Sequence, residues 1–388
     1  MRRAFKFLLR PTTQQAGALA AMLEDHRQLY NGALEHRRTA YRMRGVTVHY
    51  TEQSAELKDV RRADPAGQGR WSFSSQQATL RRLDRAFGAF FRRLKAGVTP
   101  GYPRFKGRGW FDTVTWPKDG DGCRWLPDQR RVSLQGVGQV RVHAHRAVEG
   151  QVKTISVKRE GRRWYVVLSC DDVPTRPLPA TGTAVGIDLG VASFLTTSTG
   201  EQVANPRWLA ASAARLTRAQ QRLARCQRGS NRRHKQRERA AALHRKVRRQ
   251  RFDHAHKTAL ALVRDHDLIA HEALHIRNMT RSASGTMDAP GQGVARKSGL
   301  NRSILDAGWG VFLSVLAYKA ESAGRLVVAV EPHNTSRTCP ACGYVARENR
   351  PSQRDFRCIA CWYTGHADLV GATNVLRAGL ALQAAQAA

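Results

Sequence analysis

Thr183-Ala-Val-Gly-Ile-Asp-Leu-Gly-Val-Ala-Ser-Phe-Leu-Thr-Thr197 is an apolar strand carrying one acid, Asp188, followed by a glycine-containing bend and a second strand. A carboxylate inside an apolar strand is expensive to bury without a partner. Asp188 therefore calls for other groups, and the order of elements after it supplies them. Residues 207–251 and 254–264 read as long basic helices. Residues 267–274 form a short strand that meets Glu272. Residues 304–323 are helical, 326–330 form a strand expected to be buried, and 369–382 form the last helix, with Asp368 at its start.

Two strands followed by alternating helix and strand is the order of an RNase H-like sheet. There the first strand is central, the second acid-bearing strand is its parallel neighbour, and the last helix faces the strand ends. Asp188, Glu272 and Asp368 are thus expected to meet. Three carboxylates at one point repel one another unless cations lie between them. Hard oxygen donors suit Mg²⁺ or Mn²⁺, and two such ions about 3.5–4 Å apart activate a water and stabilise a leaving 3′-oxygen. Singly, the acids read as a strand turn, a strand-end charge and a helix N-cap; together they read as a nuclease site. His271 and His366 adjoin two of them and read as surface histidines, or at most as phosphate-facing groups.

Before the last helix stand Cys-Pro-Ala-Cys at 339–342 and Cys-Ile-Ala-Cys at 358–361. Two C-x-x-C pairs can close a tetrahedral zinc site through Cys339, Cys342, Cys358 and Cys361. Thiolates select zinc and carboxylates magnesium, so the two sites do not compete. Cys123, Cys170 and Cys226 have no partner spacing and read as ordinary free cysteines.

Lysine and arginine number 65 against 30 acids, a formal charge of +35 over 388 residues. A field of that size draws in a polyanion, nucleic acid before an acidic membrane. Residues 207–251 hold sixteen of these cations, among them Arg232, Arg233 and Lys235, and a single acid, Glu238. A one-signed helical face repels itself until a polyanion neutralises it. With no 18-residue apolar run and no signal-peptide core, the expected setting is the cytosol, on the nucleoid when DNA-bound, with no membrane partner.

Upstream, residues 4–9 read as a strand, Thr12 and Thr13 as a helix cap, and 51–62 and the stretch from 74 as further helices. Residues 103–172 read as β, with a hairpin turn at Glu160-Gly161. Pro103-Arg104-Phe105-Lys106 places an aromatic between two cations, which suits base stacking and phosphate contact. Residues 174–179 form a linker, and the Gly-, Ser- and Ala-rich residues 281–299 read as a mobile loop.

These residues carry a resemblance. Gly186-Ile-Asp188-Leu-Gly190, Glu272 with Asn278-Met279, and Asp368 with Ala372 and Asn374 are similar to the three RuvC motifs of the TnpB (OrfB) proteins of insertion sequences, relatives of type V CRISPR effectors. Gly101-Tyr-Pro-Arg-Phe-Lys106, the Asp306–Phe312 helix start, Thr335-Ser-Arg-Thr-Cys339 and Arg354 before Cys358 resemble further family segments. Val370 and Gly371 depart from the usual Asn and Ala, which touches fine geometry and no ligand.

The resemblance implies a multidomain α+β protein. A β-barrel wedge domain (1–10 and 101–178) would carry an inserted helical recognition lobe (11–100). An RNase H-like (RuvC) α/β nuclease domain (179–338 and 362–388) would carry an inserted zinc ribbon (339–361). It implies an RNA-guided DNA endonuclease with two Mg²⁺ (or Mn²⁺) on Asp188, Glu272 and Asp368, one structural Zn²⁺, a guide RNA from the element, and a double-stranded target with a short adjacent motif. Arg104, Lys106, Arg232, Arg233 and Lys235 would contact nucleic acid, Arg354 the scissile phosphate, and 281–300 would be a lid. The rival readings are a non-cutting zinc-ribbon repressor that binds RNA or DNA and a transposase that transfers DNA strands.

Overall fold

Phe5, Phe7 and Leu9 are buried while the alternate Lys6, Leu8 and Arg10 are not, so β1 (Arg3–Arg10) has one face in a core and one turned outward. A computed structural model describes residues 1–387 and separates two compact units, the first Met1–Pro174 and the second starting at Thr175. In the first unit three helices follow β1: α1 (Thr13–Arg44), α2 (Tyr50–Ala63) and α3 (Phe73–Lys95). Thr12 caps α1 in a full capping box with Gln15, and Gly45 ends it in the left-handed conformation. The chain then returns as β2 (Thr113–Trp116), β3 (Cys123–Leu126), β4 (Arg131–Leu134), β5 (Gly138–His143), β6 (Gln151–Glu160) and β7 (Arg163–Asp171).

These strands and β1 form one antiparallel sheet in the order β2-β6-β7-β1-β5-β4-β3. The edge strand β3 also lies against β6, so the sheet is curled. Its inner face and the helices share one core, which includes Trp71, Trp116 and Tyr30. Cys123 and Cys170 lie in that core, where burial pushes their thiols up to about 12 and about 11; they are inert packing groups.

The second unit begins with β8 (Ala184–Asp188), β9 (Ser193–Thr197) and β10 (Gln202–Ala204), then α4 (Trp208–Ala224), α5 (Asn231–Asp265), β11 (Leu268–Glu272) and the short α6 (Ile276–Met279). Next come α7 (Val294–Ala307), α8 (Trp309–Ala323), β12 (Leu326–Val330), the hairpin β13 (Asp355–Arg357) and β14 (Thr364–His366), and α9 (Ala367–Ala387). The main sheet has the order β10-β9-β8-β11-β12. β8 is central, antiparallel to β9 and parallel to β11, and β11 is parallel to β12.

Two expectations need correction. Residues 326–330 are an edge strand with Leu326 40% exposed, so the apolar run is only half-buried. The expected loop over 281–299 is helical from Val294, because helix formers from Ala295 to Leu305 outweigh Gly299. Asn301 and Lys297 tie α7 to the carbonyls of Thr280, Arg281 and Met279. Left-handed Gly308 then separates α7 from α8.

Asp306, 6% exposed, organises the helices of this unit. Arg207, which precedes α4, offers no side-chain cap. The Asp306 carboxylate takes that role, accepting from the Leu209 and Ala210 amides at 2.9–3.1 Å and from Arg251 of α5 at 2.6 and 3.1 Å.

In the first unit His26 is fully buried, with Nδ1 2.8 Å from the Met22 carbonyl and Nε2 2.9 Å from Ser75 Oγ. Desolvation disfavours the imidazolium and lowers its pKa to about 4. A depressed histidine gives stability that is complete above the unfolded value of about 6.5 and is lost as pH falls toward 4. We expect this one residue to remove about 3 kcal/mol over that window. Urea unfolding of His26→Gln should show a flatter pH dependence between 6.5 and 4 than the parent; parallel curves would exclude the assignment.

Candidate active site and cysteine cluster

Asp188 ends β8 and Glu272 ends β11. The parallel register sets Ile187 beside His271, so the two acids leave the sheet at the same end. Asp368 stands in the first turn of α9. That helix reaches the acids because it crosses β8 and β11 at close range. A Cβ on Gly186 would lie 2.1 Å from the Ala372 carbonyl, and one on Gly379 would lie 2.5 Å from the Ala270 methyl. Only glycine permits that approach.

All three acids are half-buried. The Asp188 carboxyl is pushed up to about 7, by burial first and then by the charges of Glu272 and Asp368; Arg350 and the Leu189 amide pull the other way. The structure thus brings the three acids together, and they repel. A cluster of hard, like-charged donors fits divalent cations.

The flanks of the site explain the two motif departures. Val370 is 1% exposed and packs with Cys339, Phe356, Cys358 and Ala367, so an apolar contact stands where an Asn would hydrogen-bond. Gly371 faces Asp188: a Cβ there would touch Asp188 Oδ2 at 3.4 Å.

Two residues at the site were missed by sequence reasoning. Thr335 Oγ1 donates to Glu272 Oε1 at 2.5 Å. The loop bearing Thr335 is clasped by Asn374 of α9, whose Nδ2 donates to the carbonyls of Thr335 and Thr338 at 2.8 Å each. The Thr-Ser-x-x-Cys segment carries the signal for Thr335. Arg350 is the second: its guanidinium lies 3.9 Å from Asp368 Oδ1 and lowers the pKa of Asp188. Arg354, expected at the phosphate, is exposed, and its carbonyl accepts from the Ala367 amide at 2.7 Å. His271 Nδ1 lies 2.8 Å from the Glu272 carbonyl, and His366 Nδ1 accepts from the Asp368 amide at 3.3 Å.

The four paired cysteines converge, with all sulfurs within 4.8 Å of one another. The Cys339–Cys361 and Cys342–Cys358 sulfurs are 3.6 Å apart. Thiolates about 2.3 Å from one tetrahedral ion stand about 3.8 Å from each other, so the set fits zinc. The two knuckles are joined to α9 by a shared core in which Cys339, Phe356 and Cys358 pack on Ala367 and Val370.

The expected nucleic-acid contacts divide. Arg232 and Lys235 are exposed on α5. Arg233 turns inward and caps the end of α4, donating to the Leu223 and Cys226 carbonyls at 3.0 and 3.1 Å. In the first unit Arg104 is exposed. The Lys106 backbone is pinned to α1 by Arg27 and Asn31, and its ammonium lies 5.6 Å from the Tyr30 ring. No described helix is long and apolar enough to cross a membrane.

Two outcomes follow from this geometry. Thr335→Val should lower cleavage about 10–100-fold, as loss of a group that orients a ligand does, while zinc content and melting temperature hold and Thr335→Ser restores the rate. Equal rates for Thr335→Val and the parent would show that the hydroxyl is idle. Cys358→Ser should release zinc and, through the shared core, reduce cleavage at least 10-fold with all three acids intact. Full activity in a preparation shown by metal analysis to lack zinc would break that link.

Comparison with known proteins agrees with the motifs. The family description "Probable transposase" matches residues 159–283, and "Cas12f1-like, TNB domain" matches residues 309–375. A "Helix-turn-helix domain" description matches residues 1–45, where this structure has β1 and one long helix, α1. The chain is 35% identical over 386 residues to "Putative RNA-guided DNA endonuclease InsQ" of Escherichia coli K12, covering 98% of this chain and 93% of that one. It is 32% identical to a protein of the same general description from Streptomyces pristinaespiralis, covering 99% and 91%. Among solved structures, the protein of a Cas12f1–sgRNA–target DNA complex aligns over 97% of this chain and 99% of its own, at 16% identity and a TM-score of 0.36. Identity of this extent over nearly the full length places the chain in the OrfB (TnpB) family of insertion-sequence RNA-guided DNA endonucleases.

Proposed function

We propose that this protein is an RNA-guided DNA endonuclease that hydrolyses phosphodiester bonds at one RuvC-like site formed by Asp188, Glu272 and Asp368. The observation that carries the reading is the convergence of three acids from β8, β11 and α9, close enough for two of them to raise the pKa of the third. Divalent ions held there, Mg²⁺ or Mn²⁺, supply Lewis-acid activation of a water and neutralise charge on the departing oxygen. The chain's own groups do the rest. Thr335 fixes the Glu272 carboxylate. Arg350 offers a cation beside Asp368 for a phosphate oxygen. The cysteine cluster, as a zinc ribbon, anchors the start of α9.

In this reading the second unit is an RNase H-like (RuvC) nuclease domain over 179–338 and 362–388, with the ribbon inserted at 339–361. The curled sheet of the first unit (1–10 and 101–178) is a wedge domain, and its inserted helices (11–100) form a recognition lobe. Guide RNA drawn from the element pairs with the target strand, and the protein holds duplex shape and backbone beside a short adjacent motif. Exposed cations such as Arg104, Arg232 and Lys235 serve that backbone contact. Support for the guided reading comes from the family and from the net charge of +35.

The decisive experiment is to purify the protein with its bound nucleic acid, sequence that RNA, and challenge the complex with a plasmid matched to it. Mg²⁺-dependent cutting should fall more than 100-fold in Asp188→Ala. Unchanged cutting by this variant would overturn the site. Cutting that requires element-end DNA and no RNA would replace guided hydrolysis by strand transfer, and RNA-dependent binding without cutting would indicate a repressor.

A further inference from the structure

The two cysteine knuckles are near copies, and they differ at one position that matters. The first reads Cys339-Pro-Ala-Cys-Gly-Tyr344 and the second Cys358-Ile-Ala-Cys-Trp-Tyr363. Their hydrogen bonds repeat. The Cys339 amide donates to the Tyr344 carbonyl at 2.9 Å and the Cys358 amide to that of Tyr363 at 2.8 Å. The Gly343 amide donates to the Cys339 carbonyl at 3.0 Å and the Trp362 amide to that of Cys358 at 3.1 Å. Ala341 and Ala360 each donate to a cysteine sulfur at 3.4 Å. The turn requires a left-handed residue after its second cysteine. Gly343 meets that need at φ +76°, whereas Trp362 occupies the same place at φ +62°.

A non-glycine residue in that region is strained, and glycine would relieve it. Packing does not explain the tryptophan, because Trp362 is 66% exposed. The Arg357 guanidinium lies 5.0 Å from its ring centroid. The chain thus holds a bare indole, backed by a cation, on the turn that leads through β14 into Asp368. Strained residues of this kind cluster at ligand sites. An aromatic face beside arginine is the surface on which unpaired bases stack.

We propose that Trp362 is a stacking platform for an unpaired base of the DNA strand being led to the carboxylates, with Arg357 taking the adjoining phosphate. This inference rests on the nuclease reading above and adds to it a binding residue outside the acid cluster. Stacking is tolerant of base identity, as a guided enzyme with variable targets requires.

The test uses the full RNA-loaded protein in single-turnover cleavage of a guide-matched target. Trp362→Gly restores the residue of the twin knuckle, so it should fold at least as stably and keep its zinc. Its cleavage rate at subsaturating enzyme should fall between about 5-fold and 100-fold, the range for loss of one stacked base, and Trp362→Phe should recover most of it. A scan of single abasic sites near the cut should find one position that slows the parent and leaves Trp362→Gly unaffected. A parental rate in Trp362→Gly overturns the platform, and so does a loss that tracks zinc release. Asp188→Ala run alongside separates the two ideas: an unchanged rate there overturns the site, while a dead Asp188→Ala beside a fully active Trp362→Gly overturns only the platform.

Discussion

Mutual repulsion of three carboxylates is the constraint around which the second unit is built. Asp188, Glu272 and Asp368 would separate if their backbones were free, since burial and like charge together push the Asp188 carboxyl up to about 7. Three rigid supports prevent this. β8 and β11 are fixed side by side by parallel hydrogen bonding. α9 is locked onto them through glycines that admit backbone at van der Waals range. The cysteine ribbon holds the start of α9 from the other side. In the proposed reading divalent cations would relieve the repulsion that remains, because the scaffold holds the acids together.

In the proposed reading the cysteine ribbon is consequently part of the nuclease scaffold and not an appendage to it. Its core includes Ala367 and Val370, residues that flank Asp368. The turn that leads into it carries Thr335 to Glu272, and its own loop carries Arg350 to Asp368. Helix α9 returns the support: Asn374 holds the 335–338 turn, and Arg377 donates to the Pro340 carbonyl at 2.5 Å. In the proposed reading a soft-metal site would therefore position a hard-metal site through packing, with neither drawing on the other's ligands.

Much of this was legible in the sequence because it is local or periodic. The strand alternation, the threonine cap at 12–13 and the C-x-x-C spacings report directly on backbone geometry, and the order of elements placed β8 beside β11. What sequence concealed was non-local. Asp306 looks like the start of a helix, yet it caps α4 from a hundred residues away and neutralises Arg251. Thr335 and Arg350 reach the acids only once the ribbon is folded back. Arg233 sits in a run of like cations, and nothing in that run marks it as the one that caps α4. Leu326–Val330 has the composition of a central strand, but composition does not say which strand is last in the sheet.

The basic helices follow from the same logic. α5 is 35 residues long, and its buried positions are a thin line of Ala240, Val247, Ala255, Ala259, Leu262 and Val263. Between residues 207 and 251 one acid answers sixteen cations. The apolar line and the Asp306–Arg251 pair hold these helices in place, but they leave most of that charge uncancelled. A polyanion lying along them removes self-repulsion and releases its own counterions, so its binding is strong and steeply salt-dependent. The helices and the carboxylates are thus complementary in sign. In the proposed reading one binds the nucleic-acid backbone by excess positive charge, and the other would gather, by excess negative charge, the cations needed to cut it. Both depend on a scaffold stiff enough to hold like charges close together.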